Sequence, residues 1–456
     1  MRKPSLVVLL SAALAAADAA GAAPVARLRG MVVVGDSLLS GFSSGGLVRR
    51  GHAGQVDSAP AFIARRAGVR LRQPLMTRPG VPPQLEIVDA NGDGVLDRGE
   101  VRRRTSRLGF RADPDQRVRN LAVPGEDSAT VFEEIAPEDV AGQIVGGDVN
   151  GREILKFMIL GLPLRSEGVS QVRRTRELKP HFVLVWLGNN DLLDLATKTD
   201  PNAVTIGAPE FGRRFRRLLD ALAESGPGMA VANLPDPTGI AALRRASTDV
   251  TACRTTAGTT EPVAPDDLLS IDLDPGLLPV PPCHEVLNAT ERAAVRAIVD
   301  AFNAEIAAAV AETAQARGVT IALVDLAARF DRMRTDGVDV DGDGRPDLDT
   351  RYLGGIFSLD GVHPTATGNA LIANAFIEAI NAGFGEAIPA VNVARVAARD
   401  PLVGNAFRPA GEPPFGLVSE DSNDELEDFF DRIGDRITDG VEDLRDDLED
   451  LLDEIF

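Results

Sequence analysis

The chain has 456 residues, 44 % apolar and 25 % charged, enough to bury one large core or two ordinary ones. Its formal charge is −20, yet residues 420–456 alone hold 17 acids and 3 arginines. The remainder is therefore only mildly acidic, and no basic footprint of nucleic-acid binding is present. Past the amino terminus no run reaches about 18 consecutive apolar residues, which argues against a membrane-spanning protein.

Residues 1–23 read as an export signal. Arg2 and Lys3 supply positive charge, Leu6–Ala17 is a run of apolar and small residues, and Ala20-Gly21-Ala22 offers a small-x-small cleavage pattern. The run is too short to span a bilayer comfortably, so a secreted or periplasmic protein is expected. In an oxidising compartment Cys253 and Cys283 are expected to pair. Closing that loop contributes about 3–4 kcal/mol in the chain-entropy model.

Met31–Val34 is a continuous apolar run ended by Gly35, the pattern of a buried parallel strand. Similar runs occur at Val118–Val123, Phe182–Leu187, Met229–Val231 and Val319–Val324. Helical periodicity follows in Val295, Val299, Phe302, Ile306 and Val310, opened by a capping box of Asn288 with Glu291 and ended by Gly318. A later helix carries Ile372, Phe376 and Ile380, with Thr365 at its N-cap. Strands alternating with helices predict a parallel sheet covered on both faces, with ligands bound beyond the carboxyl ends of its strands. Residues 50–116 and 235–287 interrupt the alternation as insertions rich in Gly, Pro and Asp. The main domain is expected over 28–408 and a linker over 409–418. The tail, 419–456, steps apolar residues by three or four from Leu426 to Ile455, an amphipathic helix. It suits docking to a partner, self-association, or packing on its own domain.

Four short segments carry chemistry. Gly35-Asp36-Ser37-Leu38 follows the first apolar run, where a turn projects the Ser37 hydroxyl. Asn120-Leu121-Ala122-Val123-Pro124-Gly125 follows, and Gly125 lets its N–H approach a substrate oxygen. Gly188-Asn189-Asn190-Asp191 places the Asn190 amide as a second donor. In Asp360-Gly361-Val362-His363-Pro364 a carboxylate and an imidazole stand three residues apart in one turn, where the acid can fix the ring's tautomer. A hydroxyl attacks an ester only when a base takes its proton and donors hold the oxyanion.

In this order the segments resemble the GDSL or SGNH hydrolase family over roughly residues 28–385. The resemblance implies a three-layer α/β/α sandwich, flavodoxin-like, with a five-stranded parallel sheet in the order 2-1-3-4-5. It also implies that Ser37 is the nucleophile, His363 the base and Asp360 its orienting acid. The N–H groups of Ser37 and Gly125 and the Asn190 side chain would form the oxyanion hole. The substrate would be an ester of a small molecule, lipid or glycan, cleaved without a catalytic cofactor. Lys156–Leu164 is notably apolar, fit either to line an acyl pocket or, better, to be buried in the core. It tips the reading slightly toward lipid or medium-chain esters. A carbohydrate acetylesterase on the same site and a non-catalytic, calcium-binding secreted protein stay open.

Residues 89–100 match a twelve-residue calcium loop at every key position. Asp89, Asn91, Asp93 and Asp97 offer side-chain oxygens, Val95 its carbonyl and Glu100 a bidentate carboxylate. Leu85–Val88 upstream reads as a strand, which departs from the helix of an EF-hand. Asp339, Asp341, Asp343 and Asp347 repeat the first half of the pattern, but Thr350 stands at the twelfth position. Structural Ca2+ is expected at 89–100 and is an even choice at 339–347.

Overall fold

The computed structural model describes residues 24–404, apart from 106, 147–149, 164–166, 198–205, 247–249 and 272–279. The segments read as an export signal and a linker, and the acidic tail, lie outside the described residues.

Four parallel strands form the central sheet: β1 (Val32–Gly35), β2 (Phe182–Trp186), β3 (Gly228–Ala232) and β4 (Ile321–Val324), side by side in that order. β1 and β2 are buried at every position, which is why they read as unbroken apolar runs rather than as alternation. The five-stranded expectation is corrected to four full strands and a partial fifth. Segment 118–123 runs beside β1, where Val33 N–H donates to Arg119 O (2.9 Å), Leu121 N–H to Val33 O (2.9 Å) and Val123 N–H to Gly35 O (3.1 Å). The ladder breaks at Gly35, whose N–H donates to the Gln171 side chain (2.9 Å) instead. Counting this segment as the second strand, the order is 2-1-3-4-5, as the family resemblance implied.

The helices that frame the sheet and the site are α1 (Ser37–Ser40), α2 (Ala59–Arg66), α3 (Gln171–Leu178), α4 (Asn190–Thr197), α5 (Ala208–Leu222), α6 (Ala289–Arg317), α7 (Leu326–Asp336) and α8 (Ala366–Phe384). α2 and α8 pack together on one face, α8 lying against β3 and β4; α3, α5 and α6 pack together on the other. The α5–α6 contact centres on Phe211 stacked on Phe302, ring centroids 4.2 Å apart. α6 opens on the expected capping box, with Asn288 accepting from the N–H groups of Thr290 and Glu291, and Glu291 from that of Asn288. Among the described residues no helix is long and apolar enough to cross a membrane.

The insertions build the surroundings of the sheet's carboxyl end. In the first, strands Glu86–Ile87 and Val101–Arg102 pair antiparallel and flank the 89–100 loop, so a β-ribbon stands where an EF-hand has helices. In the second, two short antiparallel ribbons are present, and Cys253 and Cys283 are disulfide-bonded. Leu85, Leu96 and Val101 of the first insertion pack in a second hydrophobic cluster with Phe330 and Met333 of α7 and with Ile356 and Phe357. Ile159 and Leu160 are fully buried in the main core, where the apolar Lys156–Leu164 run was better suited than to a pocket.

Candidate active site

β1 runs into α1 with no intervening loop, so Ser37 is the first helical residue beyond the strand's carboxyl end. Gly35 is required there, because a Cβ would stand 2.5 Å from the Trp186 carbonyl of β2. Asp36 caps α1, accepting from Leu38 N–H (3.0 Å), and its other oxygen accepts from the Asn189 amide (2.9 Å). Burial pushes the Asp36 carboxyl up to about 6, against the downward pull of Asn189, the Leu38 N–H and His363.

His363 precedes α8. Its Nδ1 lies 3.0 Å from Asp360 Oδ2, while Asp360 Oδ1 accepts from the main-chain N–H groups of Val362 (2.9 Å) and His363 (2.8 Å). Gly45 N–H also donates to Asp360 Oδ2. Burial works upward on Asp360, but the His363 charge and these N–H donors outweigh it and hold the carboxyl at about 2. The turn is fastened to the segment after α1. Ser44 N–H donates to Ser358 Oγ (2.7 Å), Ser43 Oγ to Pro364 O (3.2 Å), and the Phe42 ring lies 4.7 Å from that of His363.

Ser37 and Asn190 line one cavity of about 110 Å3, together with Val362 and Pro364, the residues flanking His363. The rest of its wall is largely apolar, including Leu38, Trp186, Ile240, Phe330, Met333 and Phe357. Gly125 and the His363 side chain are not part of that lining, and no hydrogen bond joins Ser37 to His363 among the described residues. Gly125 is exposed with φ +80°, a conformation that suits glycine alone, and only the Arg152 side chain comes near where a Cβ would be. Chemically, the arrangement offers a hydroxyl at a helix N-terminus, an imidazole held by an acceptor-only carboxylate, and amide donors beside an apolar slot.

The profile of the GDSL-like lipase/acylhydrolase family matches residues 31–376, more than half of the chain. This chain belongs to that family. As a GDSL hydrolase it cleaves ester bonds, and the family's chemistry needs no catalytic cofactor. Among solved structures it is similar to LAE5, an alpha/beta hydrolase from the metagenome of Lake Arreo, Spain, at 15 % identity and TM-score 0.31, covering 76 % of this chain and 93 % of that one. It is also similar to a protein from Parabacteroides merdae described as a GDSL-like lipase, at 12 % identity and TM-score 0.31, covering 76 % and 94 %. No curated protein matches the chain in sequence.

Around the four GDSL segments stand polar residues that the motifs did not single out. Asn190 Nδ2 donates to Glu126 O (2.7 Å), and Ser128 donates through N–H and Oγ to Asp191 (2.9 and 2.6 Å). Burial pushes Asp191 up to about 6 against those two donors. Beneath them the Glu126 carboxylate meets Lys156 Nζ at 3.0 Å, both side chains almost wholly buried. Burial pushes Glu126 up to about 7, opposed by Lys156. The one signal in the sequence was Lys156 itself, a cation opening an apolar run.

The two acidic loops are arranged differently from each other. At 89–100, both Glu100 oxygens accept main-chain N–H groups, from Ala90 (2.8 Å) and Asp97 (2.9 Å). The Asn91 amide donates to Asp93 (3.1 Å) and Asp97 (2.9 Å). At 339–347, Asp339, Asp341 and Asp347 gather ligand oxygens within 4.8 Å of one another, without Asp343. Val95, expected to lend a carbonyl, is more than half exposed, and its N–H donates to Asp93 Oδ1 (2.8 Å).

Proposed function

We propose that this GDSL hydrolase is an exported esterase or lipase acting through Ser37, His363 and Asp360. The observation that carries it is the Asp360–His363 pair beside an apolar cavity whose wall includes Ser37. Asp360 holds the ring by Nδ1, leaving Nε2 to take the Ser37 proton as Oγ attacks the ester carbonyl. The tetrahedral oxyanion is received by the Ser37 and Gly125 N–H groups and the second Asn190 amide hydrogen, the first being held by Glu126 O. His363 then protonates the leaving alcohol, and water repeats the cycle to release the acid. The Ser37–His363 contact forms with substrate bound, as catalytic hydrogen bonds commonly tighten in the Michaelis complex. Labelling by a fluorophosphonate probe, lost in Ser37→Ala together with turnover of an aryl ester, is the test. A Ser37→Ala protein with wild-type turnover overturns the mechanism.

The apolar wall favours acyl chains of medium length over the acetyl groups of acetylated glycans. Export rests on the amino-terminal pattern and is supported by the Cys253–Cys283 disulfide, which suits an oxidising compartment. Ca2+ is proposed at 339–347, where three carboxylates converge, and at 89–100, where Asn91 and the acids supply the oxygen set. Both ions would be structural. The loops flank Leu96, Leu348 and the cluster that holds Phe330 and Met333 of the cavity wall.

A further inference from the structure

Glu126 joins the three candidate oxyanion donors. It follows Gly125 directly, and its carbonyl accepts from Asn190 Nδ2 at 2.7 Å. Its carboxylate meets Lys156 Nζ at 3.0 Å and faces Gln171 Nε2 at 3.5 Å. Gln171 in turn grips both backbone groups of Gly35, two residues before Ser37, accepting from N–H (2.9 Å) and donating to C=O (2.8 Å). Lys156 also donates to Thr130 O (2.6 Å), which ties down the far end of the 125–130 turn. Gln171 and Glu126 are fully buried and Lys156 nearly so.

A buried ion pair is a poor device for stability alone, because desolvating both charges offsets most of their attraction. This pair sits instead where the β1–α1 junction, the 125–130 turn and Asn190 meet. We infer that the Glu126–Lys156 pair, with Gln171, is a positioning network that sets the relative placement of the Ser37 and Gly125 N–H groups and the Asn190 amide. None of its side chains touches substrate. Their effect is to keep three donors from separate elements at the spacing an oxyanion needs, and a misplacement of about 1 Å costs roughly 10²-fold in rate. The inference rests on the proposed roles of Ser37, Gly125 and Asn190.

The test compares Lys156→Met with wild type on one aryl ester, together with inhibition by an alkyl boronic acid, a tetrahedral mimic of the same chain length. The expected result is a fall in kcat of roughly 10²-fold, a boronate affinity weakened by a similar factor, and a KM within about twofold. Gln171→Met is the second variant, with the same signature expected, should Lys156→Met fail to fold by thermal melt. A folded variant with unchanged kcat and boronate affinity, or one changed only in KM, overturns the inference. If Ser37→Ala keeps wild-type turnover, the proposed mechanism itself has failed. If Ser37→Ala is inactive while Lys156→Met and Gln171→Met behave as wild type, only the positioning role has failed.

Discussion

Asp360 and Asp36 are carboxylates on opposite sides of one site, and their environments push them in opposite directions. Asp360 is held at about 2, below its unfolded value of 3.8, so it contributes stability that is present above pH 4 and lost as pH falls through 2. A shift of that size is worth about 2 kcal/mol. Wild type should therefore lose about that much more stability than Asp360→Asn between pH 4 and pH 2, measured by denaturant melts; parallel curves would contradict the pairing. Asp36 is raised to about 6, so its ionisation costs stability as pH rises from 4 through 6. Asp36→Asn keeps the acceptor for Leu38 and, once the Asn189 amide flips to present its oxygen, should be more stable than wild type at pH 8 by less than about 3 kcal/mol, with the gap closing below pH 4. The ionised carboxyl that carries this cost lies within electrostatic reach of His363. Ser37, Asp360 and His363 were legible as candidates because each sits in a short contiguous motif. Glu126 and Gln171 were not, since their partners lie 30 to 136 residues away, and Lys156 was marked only as a cation opening an apolar run.

At the scale of elements, the cavity wall is assembled from α4, α7 and the segment after β3, which contributes Pro237 and Ile240. Each methylene moved from water into an apolar slot gains about 0.8 kcal/mol, roughly fourfold in kcat/KM, until the slot is full. Rates on a series of p-nitrophenyl esters should therefore rise from acetyl through medium chains and then level off. Ile240→Trp fills the slot and should remove that rise while leaving acetyl ester turnover within about threefold. A flat series in wild type would favour the acetylesterase reading. The elements themselves followed from pattern: β1 and β2 from unbroken Val and Leu runs, α6 from its capping box and Gly318. The incomplete edge strand did not follow, because what ends its ladder to β1 is a glutamine side chain from α3, 136 residues from the Gly35 it holds.

Across the whole molecule, two insertions far apart in sequence converge on the cluster behind the cavity, the first through Leu85, Leu96 and Val101 and the second through Ala241 and Ile271, and the acidic loops adjoin it through Leu96 and Leu348. Sequence favoured the 89–100 loop for its complete ligand set, whereas in the folded chain Asp339, Asp341 and Asp347 converge at 339–347. The two loops can be separated by experiment. An ion held at 100 times its Kd stabilises by about 2.7 kcal/mol, so chelation should lower the melting temperature by several degrees. Asp339→Asn should remove most of that chelator-dependent shift, and Glu100→Gln only the smaller part. Because Leu348 and Leu96 pack with Phe330 and Met333, loss of the ion should also weaken the preference for medium acyl chains before it affects acetyl esters. A melting temperature indifferent to chelator in wild type would leave the carboxylates as turns satisfied by their own backbone, a role their N–H contacts from Gly342 and Gly344 already allow.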